Sequence, residues 1–184
     1  MSNMSNNKRF LFTVFIIFHV SIFSQKVTLS ITDNSAVFME GRDSVMRYQI
    51  EPKSWDGKYK RANYIHPLFS LDGIPITEDF PLDHLHHRGI FWAWHQLYIN
   101  GRRIGDGWEI KDFEWNVIGA REEQERNGEV TLKSQVLWES VLNVDKNGTR
   151  IPLVNETNWI TVYPEWQILG WWTLRFSFKV YLKA

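Results

Sequence analysis

Chemistry in this chain concentrates in one short stretch, Asp83-His84-Leu85-His86-His87-Arg88-Gly89, followed at once by Phe91-Trp92-Ala93-Trp94-His95. Four of the six histidines fall between His84 and His95, beside two tryptophans, an aspartate and an arginine. Imidazole is the one side chain whose unperturbed pKa lies near neutrality, so it can take or give a proton or ligate a metal. Indole offers a flat apolar face with a polar handle, the kind of wall against which a sugar packs. Read as an extended strand, the segment points His84 and His86 to one face and Asp83, Leu85 and His87 to the other. Such an H-x-H pair suits proton transfer to or from a bound hydroxyl. Arg88 carries a rigid fork of donors for a carboxylate or vicinal hydroxyls, and Gly89 permits a close backbone approach behind it.

The expected catalytic set is therefore His84, His86, His87 and Asp83. The expected binding set is His66, Arg88, Trp92, Trp94 and Trp108. His66 precedes Pro67, which restricts it to extended backbone and suits a ring presented from a second strand. His95, inside an aromatic run, reads as a core or rim residue rather than a ligand. A hydrogen-bonded structural corner is the competing account of Asp83–Arg88, but buried polar groups must be paired, and such a mixture is seldom concentrated without use. No cofactor is expected. A metal on His84 and His86 is the weaker alternative, because no acid follows His86 until Asp106, unlike the usual cupin arrangement. Gly105-Asp106-Gly107-Trp108-Glu109 adds a candidate stacking face in Trp108, although a plain hairpin with exposed acids and one core tryptophan accounts for the motif better.

The elements that must position these residues read as strands. Val27, Leu29 and Ile31 alternate with polar residues, Val45 to Ile50 follows a turn at Glu40-Gly41-Arg42-Asp43, and Val130, Leu132 and Val136 keep a period of two broken by Ser134. The clearest alternation runs from Trp172 to Lys183. Turn signals recur at Trp55-Asp56-Gly57-Lys58, Leu71-Asp72-Gly73, Ile99-Asn100-Gly101 and Lys146-Asn147-Gly148. No helical period is sustained beyond the N-terminal segment, so an all-β antiparallel sandwich is expected. With 184 residues the chain has the length of one domain. Its 21 basic and 21 acidic residues balance, which points away from nucleic acid and anionic membrane surfaces. Ten tryptophans suit a lined cleft as well as sheet packing.

At the N-terminus Lys8-Arg9 precedes an apolar run from Phe10 to Phe23, too short to span a bilayer comfortably but suited to a secretory signal. Residues 1–24 are read as that signal and 25–184 as the exported domain, periplasmic or extracellular, with no membrane span after cleavage. The absence of cysteine excludes disulfides, thiolate chemistry and lipoprotein acylation.

From Tyr64-Ile65-His66-Pro67-Leu68 through Leu71-Asp72-Gly73, Thr77, Pro81-Leu82-Asp83-His84-Leu85-His86-His87-Arg88-Gly89-Ile90 and Trp94 to Asn100-Gly101 and Trp108, the sequence resembles the exported bacterial PmoA family. The resemblance is strong over residues 60–110 and loose elsewhere. Methane oxidation by a polytopic membrane subunit does not fit a chain with one short apolar segment. The resemblance implies instead a galactose-mutarotase-like β-sandwich, a fold associated with carbohydrate enzymes and sugar binding. Domains of this kind are longer, so the chain, which stops straight out of its best strand, is read as a truncated member. The expected function is acid/base chemistry on a carbohydrate or other small polar ligand. A non-catalytic glycan-binding module and a His-ligated metal enzyme are the alternatives.

Overall fold

The computed structural model describes residues 26–124, 128–164 and 173–182, the last of these by backbone pairing. The signal-like segment, Glu165, Trp172 and the chain end at Lys183-Ala184 lie outside the described residues. The described chain is all-β, and no helix in it is long and apolar enough to cross a membrane.

Two antiparallel sheets face each other. The first comprises β1 (Val27–Ile31), β2 (Ser35–Glu40), β3 (Asp43–Gln49) and β6 (Tyr64–Leu68), in the order β1-β2-β3-β6. The second comprises β9 (Phe113–Gln124), β10 (Val130–Ser140), β11 (Val154–Tyr163) and β12 (Thr173–Leu182), in the order β12-β11-β10-β9. Neither closes into a barrel. Two hairpins stand apart from them, β4 (Lys53–Trp55) with β5 (Lys58–Arg61), and β7 (Leu97–Ile99) with β8 (Arg102–Gly105).

Period-two alternation explains which faces turn inward. Ala36 and Phe38 of β2 meet Val130 and Leu132 of β10 and Ile160 and Val162 of β11 in one fully apolar cluster. A second cluster lies towards the other end of the sandwich, where Phe113, Trp115, Val136, Trp138 and Val154 pack with Leu97 and Ile104 of the β7–β8 hairpin. The turns follow the sequence signals. Asp56 and Gly57 both take positive φ (49° and 73°), as do Asn100 and Gly101 (48° and 76°), the backbone of a tight two-residue hairpin.

Ser134 does not interrupt β10. It faces inward with the rest of its row, its hydroxyl 3.0 Å from Tyr48 Oη and 3.2 Å from Asn158 Nδ2, which donates to it. The interior at this level is polar. Asn63 Oδ1 accepts from Tyr48 Oη at 2.7 Å and from Asn158 Nδ2 at 2.9 Å, and Asn63 Nδ2 donates to the buried Glu156 carboxylate at 3.1 Å. Alternation therefore assigned the right face, while the chemistry on that face is a hydrogen-bonded network joining the two sheets.

Between β6 and β7 residues 69–96 form a long connection without strands of their own, a length that in compact domains usually signals function. Isolated bridges pin it, pairing Ile65 with Ile90 and Asp79 with Arg88. Gly89 sits where these meet, at φ 52°, and a Cβ there would lie 2.2 Å from the Ile65 carbonyl oxygen. That oxygen is itself fixed by the Ile90 amide at 2.9 Å, so neither partner can withdraw cheaply. Gly89→Ala is expected to destabilise the fold by on the order of 3 kcal/mol, read as a lower urea midpoint with unchanged slope.

Candidate functional site

The histidine segment is not a strand. His84 N–H donates to the Pro81 carbonyl at 2.9 Å and His87 N–H to the His84 carbonyl at 2.8 Å, which makes two consecutive β-turns. The expectation that His84 and His86 share one face and His87 the other is thereby overturned, because a turn brings its first and fourth residues together. His84 and His87 stack, centroids 4.9 Å apart and planes 8° from parallel. His86 stands edge-on to both, at 5.9 Å from His84 and 4.5 Å from His87. All three imidazoles thus form one cluster. Asp83 lies outside it on the exposed side, its carboxylate 3.1 Å from His84 Nδ1.

This geometry also bears on the metal alternative. Imidazole lone pairs lie in the ring plane, so stacked rings direct theirs along parallel planes instead of towards one point. Among the described residues no three His, Cys, Asp or Glu side chains converge for an ion.

Aromatic rings extend the cluster. Trp108 meets His87 edge-on at 5.6 Å and Phe91 at 5.2 Å, while 42% of its own surface stays exposed. Phe91 in turn carries the Arg61 guanidinium 4.5 Å above its ring, and Trp115 faces the same guanidinium at 3.8 Å. Arg61 is fully buried and donates to the carbonyls of Trp92 (2.7 Å) and Gly107 (3.1 Å), so it holds residues 91–94 against the turn that bears Trp108. Burial and then the Arg88 charge push its pKa down to about 9, which leaves it charged near neutrality.

The Gly105–Glu109 motif is inverted relative to the hairpin reading, since Asp106 is buried and Trp108 is on the surface. Asp106 Oδ1 accepts from the amides of Trp108 and Glu109 at 3.0 Å each. Burial pushes its carboxyl up, but these amides and the His95 ring outweigh burial and hold it below its usual range.

Beside the cluster opens a cleft of about 680 Å³, within the size of a small-ligand pocket. Its walls include Lys58, Tyr59 and Lys60 of the β4–β5 hairpin, Glu109 and Lys111 of the turn, and His86. His86 thus belongs to both features. Burial, then the neighbouring His87 and His84, hold its pKa below the ordinary imidazole value, against the pull of Glu109 and Asp106.

Three expected binding residues have other employment. Arg88 is fully buried: Nε donates to Asp79 Oδ1 at 2.5 Å, one terminal nitrogen to the Lys53 and Tyr59 carbonyls (3.1 and 2.9 Å), the other to Tyr64 Oη at 2.5 Å. Its guanidinium also lies 3.6 Å from the Phe80 ring centroid. A fork so occupied cannot greet a ligand, and its role is to pin the loop to β6 and the β4–β5 hairpin. Trp92 packs against both core clusters and donates its indole N–H to Glu156 at 2.5 Å. His66 is half-buried on β6, its Nδ1 sharing a hydrogen bond with Thr77 Oγ1 at 3.0 Å, and no ring contact among the described residues joins it to the imidazole cluster. Trp94 remains at the surface, 42% exposed and packed on Trp138 at 5.2 Å.

Sequence reasoning missed Asp79, Arg61, Glu156 and the cleft lysines. Glu156 and Asn158 occupy the inward row of Val154, Ile160 and Val162, and that register alone could have flagged them. Nothing local marks Asp79 or Arg61.

Fold and site together define an all-β sandwich domain with a loop-borne imidazole–aromatic site. By sequence profile the chain belongs to a family of unknown function, DUF6807, matched over residues 35–182. No curated protein and no solved structure matches it.

His86 gives a test of the cluster. Its proton affinity is lower folded than unfolded, so its contribution to stability is complete above the unfolded value of 6.5 and is lost as pH falls through the depressed folded value. Between pH about 7.5 and about 5 the native protein should lose more thermal stability than His86→Gln. Equal losses in calorimetry would show that His86 is not confined as described.

Proposed function

We propose that this chain is an exported protein that binds a carbohydrate or similarly polar ligand in the cleft beside Trp108 and performs proton-transfer chemistry on it through His86. The observation that carries the reading is the double membership of His86, which ends the imidazole cluster and lines the cleft with Glu109. Held below its usual pKa, His86 is neutral near pH 7 and able to accept a proton from a hydroxyl. The Glu109 carboxylate is near enough to favour the imidazolium that forms. The exposed indole of Trp108 supplies a stacking face, and Lys58, Lys60 and Lys111 supply donors for hydroxyls or an acidic substituent. The PmoA-type motif, with the galactose-mutarotase-like architecture it implies, supports the same substrate class by analogy of fold alone. The basic-then-apolar N-terminal segment supports export.

Titration with a panel of neutral and uronate-containing oligosaccharides, read by tryptophan fluorescence and by product chromatography, tests the proposal. Trp108→Ala is expected to weaken binding by about tenfold, roughly 1.4 kcal/mol. His86→Gln is expected to keep binding and lose turnover by about 10²-fold or more. Affinity unchanged in Trp108→Ala, or a panel without response, would overturn the site. Saccharide binding without turnover in the native protein would identify a binding module instead.

A further inference from the structure

The turn that carries Trp108 and Glu109 is built on Asp106, and the same carboxylate faces a second imidazole outside the cluster. His95 Nδ1 lies 3.0 Å from Asp106 Oδ2 and 3.2 Å from Oδ1. The carboxylate side chain is 1% exposed and the imidazole 55% exposed, so one partner is fixed inside and the other reaches solvent. Asp106 cannot rotate away, because Oδ1 holds the amides of Trp108 and Glu109, and Arg103 stands 3.6 Å from Oδ2. The segment bearing His95 is fixed as well. Gly107 N–H donates to the Trp94 carbonyl at 3.0 Å, and a Cβ at Gly107 would come within 2.9 Å of that oxygen.

An ionised carboxylate only accepts hydrogen bonds, so His95 must carry its proton on Nδ1 and present the Nε2 lone pair. No described residue hydrogen-bonds to that Nε2. Two exposed indoles lie nearby in the chain, Trp94 just before His95 and Trp108 two beyond Asp106, packed on Trp138 and on His87 and Phe91 respectively. A buried acid that orients a half-exposed imidazole is the arrangement of a proton-transfer dyad.

We propose that His95 and Asp106 form such a dyad, with the solvent-reaching His95 Nε2 taking a proton from a hydroxyl of a polar ligand. In this step the ligand O–H bond breaks and an Nε2–H bond forms. Asp106 stays ionised and stabilises the imidazolium, the deprotonated oxygen forms a C=O bond as the bond from that carbon to the ring oxygen breaks, and the ring oxygen takes the proton. The dyad rests on the carbohydrate reading for its ligand, but not for its tautomer. It also supplies a second proton-transfer group in addition to His86, which reactions that remove a proton at one oxygen and deliver one at another require.

Asp106→Asn is a sharp probe. The asparagine keeps its oxygen on the two amides and turns its NH₂ to His95 Nδ1, which must then accept, and the ring proton moves to Nε2. Two-bond ¹H–¹⁵N correlation spectra of ¹⁵N-histidine protein at alkaline pH should show His95 as the Nδ1–H tautomer in the native chain and the Nε2–H tautomer in Asp106→Asn. Carbethoxylation of His95 by diethyl pyrocarbonate, located by mass spectrometry, should be lost in the variant. A native Nε2–H tautomer overturns the dyad, and this measurement needs no variant to fold. With any saccharide that binds, His95→Gln should retain the fluorescence change and lose product, and product retained overturns the proton-transfer role. A native Nδ1–H tautomer with no response to any saccharide sinks the ligand reading and leaves the dyad standing.

Discussion

The surface chemistry of this protein depends on the burial of one guanidinium. Arg88 lies in the middle of a connection with no ladder of its own, and its donors reach Asp79 in the same loop, Tyr64 on β6, and the Lys53 and Tyr59 carbonyls of the β4–β5 hairpin. Desolvating an unpaired charge is prohibitive, and removing one partner of a buried pair typically costs about 3–5 kcal/mol. The loop therefore cannot leave its seat without stranding a charge. This constraint, more than apolar contact, is what lets residues 83–87 turn twice in the open and still present three imidazoles in a defined arrangement.

A second buried arginine carries the constraint across the site. Arg61 has two ring faces and two carbonyls for partners, and cation–π contacts of this kind contribute about 0.5–2 kcal/mol each when desolvated. Its carbonyl partners, Trp92 and Gly107, belong to the two segments that carry Trp94 and Trp108. Glu156 completes the chain of attachment, accepting from Trp92, Trp138 and Asn63 inside the sandwich. Burial pushes its carboxyl up and the donated hydrogen bonds oppose that. Exposed indoles are thus tied through the backbone to polar groups wholly inside the fold.

The layering of the fold was legible because period two is a local signal. Val27, Leu132 and the Asn100-Gly101 turn could be placed from their neighbours alone. The site was legible only in composition. His84-Leu85-His86-His87 imitates strand alternation, whereas its backbone is set by bonds to Pro81 and His84 carbonyls that alternation does not encode. Arg88 resembles a ligand-binding fork until Asp79, Tyr64 and Tyr59 are brought to it. Asp106 and Trp108 exchange their expected environments for a like reason. A buried acid needs a set of donors, and here the set comprises two amides of its own turn and a histidine eleven residues earlier.

The kind of chemistry open to the cluster follows from its own electrostatics. Burial, then the neighbouring His87 and His84, disfavour a proton on His86, the member of the three contacting rings that lines the cleft. His86 is therefore neutral near pH 7, and the ring surface it belongs to continues through His87 to Trp108 and Phe91. Glu109 and Asp106 bias it in the opposite sense, favouring a proton on the cleft side, where His86 stands. An imidazole kept neutral by its surroundings but drawn towards protonation by two carboxylates is suited to accepting a proton from a bound hydroxyl. In the proposed function a ligand hydroxyl meets His86 and a flat apolar ligand face meets Trp108.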